Sequence, residues 1–123
     1  MNKTMIKITA RSLAQIIGCN ISKTRRNMGY ALEKNPKIKG YTRYLTKLEG
    51  FQVFLFTILV SELGVDFKSA KSVSSSVTAN INNFLNSPRL TLDTKYPFTK
   101  KTIDIQYAFL IYNDSLKRQK ENG

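Results

Sequence analysis

The segment from Thr46 to Gly64 constrains this chain more than any other, because its start, interior and end all specify one element. Thr46-Lys47-Leu48-Glu49 has the form of a capping box, in which a hydroxyl and a carboxylate three residues apart satisfy orphan amide donors at a helix start. Leu48, Phe51, Leu55, Ile58, Leu59 and Leu63 then recur at helical spacing, and Gly64 supplies a left-handed stop. An amphipathic helix of this kind must lay its stripe on something, so the flanking segments have to provide covering elements. The longest apolar run, Val53 to Val60, is far below the ~20 residues that cross a bilayer. The polar opening MNKTMIKITA lacks signal-peptide character, which leads to the expectation of a cytoplasmic protein, in a host-cell cytoplasm or on a nucleoid, with no membrane partner.

On the N-terminal side, Met5-Ile6-Lys7-Ile8-Thr9 alternates like a short strand, and Leu13, Ala14, Ile16 and Ile17 then mark a short helix ending at Gly18. Asn20-Ile21-Ser22 reads as a turn with Ser22 as N-cap of a second helix, which must end by Asn35-Pro36. Lys37 to Leu45 reads as two short strands around a tight turn, a β-wing. On the C-terminal side, Asp66 caps a helix with the stripe Ala70, Val73, Val77, Ile81, Phe84 and Leu85, stopped by Ser87-Pro88. Leu90 and Leu92 alternate. Two readings of residues 103–118 stand side by side: the alternation of Ile103, Ile105, Tyr107, Phe109 and Ile111 suits a strand, whereas the stripe Ile105, Phe109, Tyr112 and Leu116 behind a Thr102 cap suits a helix. The expected fold class is mainly α with small β elements. It is a winged helix-turn-helix followed by a helix pair and a C-terminal strand or helix appendage, divided into a DNA-binding region over 1–65 and a helix plus C-terminal dimerisation appendage over 66–123, all in one compact unit.

Charge selects the partner. The 123 residues carry 20 Lys and Arg against 8 Asp and Glu, a net +12. Nine of these excess charges fall in residues 1–50, two in 51–100 and one in 101–123. A positive field so placed calls for a polyanion at the N-terminal segment. Lys23, Arg25 and Arg26 lie in the first turns of the second helix, where cations oppose the helix dipole by a few tenths of a kcal/mol each, a placement that makes sense beside a phosphate or base edge. Ala14 and Gly18 suit the crossing and turn of a helix-turn-helix, with Ile21 as the apolar plug between the helices. Ser22 and Lys23 then suit phosphate contacts, and Arg25 or Arg26 a guanine edge. Lys37, Lys39, Tyr41, Arg43 and Tyr44 complete the candidate DNA-binding set on the wing, although a merely solvated hairpin would carry the same charges, and Tyr41 and Tyr44 would also serve as minor core beneath it.

Ala14 to Arg25, then Gly40-Tyr41-Thr42-Arg43-Tyr44 and Leu48 to Gly64-Val65-Asp66-Phe67, together resemble the DNA-binding domain of the MerR family of regulators, over roughly residues 5–77. The resemblance implies a winged helix-turn-helix followed by a helix pair, with Arg25 as the recognition-helix arginine, Arg43 and Tyr44 as part of the wing motif, and a later helix that pairs two subunits. Small phage regulators and excisionases share similar winged domains. Thr42, Asn27, Met28 and Gly29 stand where the family pattern differs, and nothing resembles its metal-binding cysteines or ligand domains.

Other chemistry finds little support. Cys19 is the sole cysteine and there is no histidine, which excludes an intrachain disulfide, a Cys/His zinc site and histidine acid–base catalysis. Cys19 itself reads as a small packed residue of the turn. Asp93-Thr94-Lys95 has the spacing of a metal-dependent nuclease fragment, with Asp66 or Asp104 as a second ligand, but the tripeptide arises easily by chance. The serines at 72 and 74–76 lack a partner base, and the glycines are too dispersed to cradle phosphate. The expectation is a non-enzymatic, dimeric, sequence-specific regulator of the phage or mobile-element type that binds double-stranded DNA without cofactor, metal or small-molecule ligand. Phe109, Ile111 and Tyr112 are its expected two-fold interface. The competing readings are an excisionase-like architectural protein and a basic module that binds an acidic protein.

Overall fold

The computed structural model describes residues 8–32, 37–38, 41–42, 44–86, 89–93 and 100–122, with backbone alone for 37–38, 41–42, 85, 93, 100–101 and 120–122. Along the chain run α1 (Ala10–Ile17), α2 (Ile21–Leu32), β1 (Lys37–Ile38), β2 (Tyr41–Thr42), α3 (Lys47–Ser61), α4 (Phe67–Ala79), α5 (Ile81–Asn86), β3 (Arg89–Asp93), β4 (Lys100–Asp104) and α6 (Ile105–Asn122). The fold is mainly helical, with two small two-stranded sheets.

The expected capping box starts α3: the Glu49 amide donates to Thr46 Oγ1 at 3.1 Å and the Thr46 amide to Glu49 Oε1 at 3.0 Å. The helix ends as its glycine demands, with Gly64 at φ 69° and the Val65 amide reaching back to Leu59 O at 2.9 Å. It is not amphipathic, however. Five consecutive residues, Val53 to Thr57, are all buried, and at about 100° per residue they cover the whole circumference. Leu48, expected on the buried stripe, is instead 41% exposed. Contacts from α1, α2, α4 and α6 surround α3, which makes it the central post of the core rather than one of its walls.

Around this post the elements are fastened by short polar links as well as apolar packing. Gln52 of α3 donates to Ala31 O at the end of α2 at 2.9 Å and accepts from the Thr78 hydroxyl of α4 at 3.2 Å. Buried Asn27 of α2 donates to Thr57 Oγ1 at 3.0 Å, and the Thr57 hydroxyl in turn donates to Val53 O at 2.9 Å, so each of these buried polar groups has a partner. Asp66 caps α4 by accepting the Ser69 amide at 3.1 Å, and that bond holds its carboxyl below the usual carboxylate range. The helix expected to continue through the stripe to Leu85 breaks at Asn80, whose backbone leaves the helical region at φ −123°, ψ 38° while its side chain donates to Ser76 O. Serine, threonine and asparagine dominate the turns before the break, and their competition for backbone groups explains why apolar periodicity alone overran it. The expected stop at Ser87-Pro88 lies outside the described residues.

The C-terminal segment uses both readings of its pattern in succession. β3 and β4 pair antiparallel from Arg89↔Asp104 to Asp93↔Lys100, and the chain becomes helical at Ile105. The cap is Asp104, which accepts the Tyr107 amide at 3.0 Å; Thr102, the expected cap, sits in β4 with its hydroxyl 3.3 Å from that of Thr91. Ile105, Ala108 and Tyr112 are buried, a helical interval that alternation would have split between two sides of a strand. The strand reading thus fails from residue 105 onward. Tyr112 packs against Phe51 and Phe54, its ring centroid 5.4 Å from each, and its hydroxyl donates to Lys47 O at 2.8 Å. No Cβ fits at Gly50, because the Tyr112 hydroxyl occupies that space, so glycine there permits the close approach of α6 to α3. Farther along, Gln119 donates to Ser12 O at 2.9 Å and to Gln15 Oε1 at 3.1 Å in α1, so contacts cross the expected boundary at residues 65 and 66.

Candidate nucleic-acid interface

The two N-terminal helices meet through a turn of three residues, Gly18 to Asn20. Gly18 adopts φ 85°, and its amide donates to Ala14 O at 2.8 Å, which ends α1 at the expected residue. Ala14 is buried and Ile21 packs against the core, as the crossing of two helices requires. Cys19 is half-buried with its Sγ 3.1 Å from Thr24 Oγ1, a packed turn residue. The start of α2 corrects one expectation. Asn20, not Ser22, caps it, since Asn20 Oδ1 accepts the Lys23 amide at 2.7 Å and Ser22 already lies inside the helix. An Asn one residue before an apolar plug serves as well as Ser in this role, and Ile21 can then face the core from the first helical position.

One face of α2 is buried and the opposite one is not. Thr24, Asn27, Met28 and Ala31 turn inward, whereas Ser22, Arg25 and Arg26 are exposed together at i, i+3 and i+4. Gly29 continues that outer face, and nothing stands within 4 Å of where its Cβ would be. Of the four polar candidates in this helix, Lys23 departs from the group: half-buried, it directs its Nζ to Ser61 Oγ of α3 at 3.3 Å. The antiparallel pair β1–β2, with Lys37 opposite Thr42 and Ile38 opposite Tyr41, forms the expected hairpin between α2 and α3. The side chains of Lys37 and Tyr41, and all of Lys39 and Arg43, lie outside the described residues. Tyr44 is 54% exposed, directly before Leu45, whose backbone pairs with Ile8 in an isolated antiparallel bridge.

That bridge brings the start of α1 beside Tyr44 and opens a cleft of about 350 Å³ lined by Thr9, Ala10, Arg11, Arg25 and Tyr44. Arg11 was missed by sequence reasoning, which read residues 5–9 as a strand and looked for cations only on α2 and the hairpin. The available signal was Thr9 with Ser12: the Ser12 amide donates to Thr9 Oγ1 and the Thr9 amide to Ser12 Oγ, both at 3.1 Å, a capping box that puts Arg11 in the first turn. No family model, curated protein or solved structure matches the chain. Its chemistry is therefore read from these side chains alone. Among the described residues no cluster of three or more His, Cys, Asp or Glu is placed to hold a metal ion, and no helix is long and apolar enough to cross a membrane.

Proposed function

We propose that this chain is a sequence-specific double-stranded DNA-binding protein of the transcription-regulator type, with α1 and α2 as a helix-turn-helix, α2 as recognition helix and β1–β2 as wing. The observation that carries the reading is the joint exposure of Ser22, Arg25 and Arg26 on one face of a helix whose other face is locked onto α3 by Asn27, Met28 and Ala31. A rigid helix that presents two guanidinium groups and a small hydroxyl suits a major groove, where arginine reads guanine through paired donors and serine reads either phosphate or base. The concentration of nine of the twelve excess charges in residues 1–50 supports the same surface. The order helix, turn, helix, hairpin, long helix agrees with the MerR-like resemblance. Regulation of phage or mobile-element genes remains part of this proposal, as does the absence of enzymatic activity.

A regulator that spans two half-sites needs a second copy. Tyr112 does not form that interface, because it is fully buried, and half-buried Phe109 gives one side of its ring to Phe51 at 4.8 Å. The outer face of α6 is the better candidate: Tyr107, Leu110 and Ile111 are 64%, 60% and 42% exposed. The test is selection of bound sequences from a random duplex pool by the full chain. Recovery of an inverted repeat supports a dimeric regulator. Salt-steep binding to every duplex without a motif refutes sequence specificity and favours the architectural reading, and no binding at moderate salt refutes the DNA assignment.

A further inference from the structure

The cleft between α1 and α2 has a cationic lining. A small-molecule site of this size is ordinarily walled mainly by apolar side chains. Among the described residues this one is lined instead by two arginines, a tyrosine, the capping Thr9 and a single alanine. No acidic side chain among the described residues lines it, and four carboxylates are engaged elsewhere: Glu49 with the Thr46 amide, Asp66 with Ser69, Asp104 with Tyr107 and Asp114 with Arg118. Arg11 and Arg25 have no ion-pair or hydrogen-bond partner among the described residues. Two guanidinium groups from different helices that line one cleft offer it ten N–H donors between them, and the fork geometry of arginine matches the paired oxygens of a phosphate.

We propose that this cleft seats one phosphodiester of the DNA backbone between Arg11 and Arg25, so that Arg25 is a backbone clamp and the reading of bases passes to Arg26. The proposal rests on the duplex-DNA reading above and specifies its chemistry. Arg25 belongs both to the cleft and to the exposed face of α2, so an anion held there lies alongside whatever that face contacts. Arg26 projects about 100° farther around the helix and does not line the cleft. A phosphate gripped from two helices fixes the depth and angle at which α2 enters the groove, which is how backbone contacts set register without carrying sequence information.

The experiment uses the full chain and a duplex recovered by selection, in which single phosphates are replaced one at a time by neutral methylphosphonates. One position per half-site is expected to weaken the wild type by tenfold to a hundredfold, roughly the effect of losing a charged hydrogen-bonded pair. The same replacement should add nothing to the loss already present in Arg11→Ala or Arg25→Ala. Arg25→Ala should also flatten the slope of log affinity against log salt by about 0.9 while leaving the ranking of duplex sequences intact, whereas Arg26→Ala should relax that ranking at one base pair. Arg25→Ala relaxing base preference at an unchanged slope, or losses that simply add, overturns the clamp while the DNA reading stands. Saturable shifts of the Arg11 and Arg25 side-chain resonances with inorganic phosphate, together with additive methylphosphonate losses, would assign the cleft to a free ion and overturn the backbone assignment. Failure of the wild type to bind any duplex overturns the DNA reading and the clamp with it.

Discussion

Helices α2 and α6 both bury one face against the central α3 and turn another to solvent, but they leave opposite debts there. On α2 the outer face is cationic, with Ser22, Arg25, Arg26 and the bare backbone of Gly29; on α6 its first turns are apolar, with Tyr107, Leu110 and Ile111, ahead of the charged Asp114, Lys117 and Arg118. Exposed arginine is readily hydrated and needs a partner only if convergent, as at the cleft, whereas exposed tyrosine, leucine and isoleucine at successive turns lose free energy to water until covered. The difference underlies the proposal of two kinds of partner, a polyanion for α2 and a second copy for α6, while the inner faces carry the packing of the core.

The sharpest way to break the comparison is to cross from one face of α6 to the other. Tyr112→Ala removes a fully buried ring packed at a tilt against Phe51 and Phe54, and should lower unfolding free energy by about 3–5 kcal/mol in denaturant titration. A loss within about 0.5 kcal/mol, typical of a surface site, would show that α6 is not seated on α3 as described. The outer face should respond only in association: Leu110→Glu with Ile111→Glu is expected to raise the dimer dissociation constant about thirtyfold or more in sedimentation, as losing a buried anchor does, with monomer stability nearly unchanged. If the double variant sediments like the wild type, pairing lies elsewhere.

A smaller effect isolates one hydrogen bond. Tyr112→Phe keeps the ring but loses the donor to Lys47 O, at a cost of about 1 kcal/mol near neutral pH. Burial raises the Tyr112 phenol well above its usual value, so the folded chain keeps a proton that the unfolded chain releases above about pH 10. The stabilisation is thus complete below that pH and is lost as the pH climbs toward the raised folded value, by about 1.4 kcal/mol per unit. The wild type should therefore lose its advantage over Tyr112→Phe above about pH 10, read as converging melting temperatures. The smallest expected change has the opposite sign. Gly29→Ala fills open space in mid-helix and should stabilise the chain by about 0.5–1 kcal/mol, which would show that α2 gives up helix stability for its outer face.

Local rules made some of this legible in the residues themselves. The capping box at Thr46 and Glu49, the cap at Asp66 and the glycine stops at Gly18 and Gly64 are decided within four or five residues, because each satisfies backbone groups in its own turn. The same locality misled where two neighbours competed for one role, Asn20 against Ser22 and Asp104 against Thr102, since either pair can cap and only the packing of Ile21 and Ile105 chooses between them. Of the candidate site, the cations on α2 could be read from their clash with the helix dipole, but Arg11 could not be placed beside Arg25 while Thr9 was assigned to a strand.

By itself, then, the sequence determined the existence of α1 to α4, the hairpin after α2 and the segment of the chain that carries the charge, all properties set by periodicity, caps and composition. Only the tertiary structure decided that α3 is enclosed on all sides, that the 103–118 pattern resolves into a strand followed by a helix, that Tyr112 faces inward, and that Arg11 and Arg25 meet in one cleft. The physical reason is shared: each depends on which surfaces residues distant in sequence leave to be covered, and burial against a neighbour that local pattern does not contain outweighs the few tenths of a kcal/mol by which competing local conformations differ.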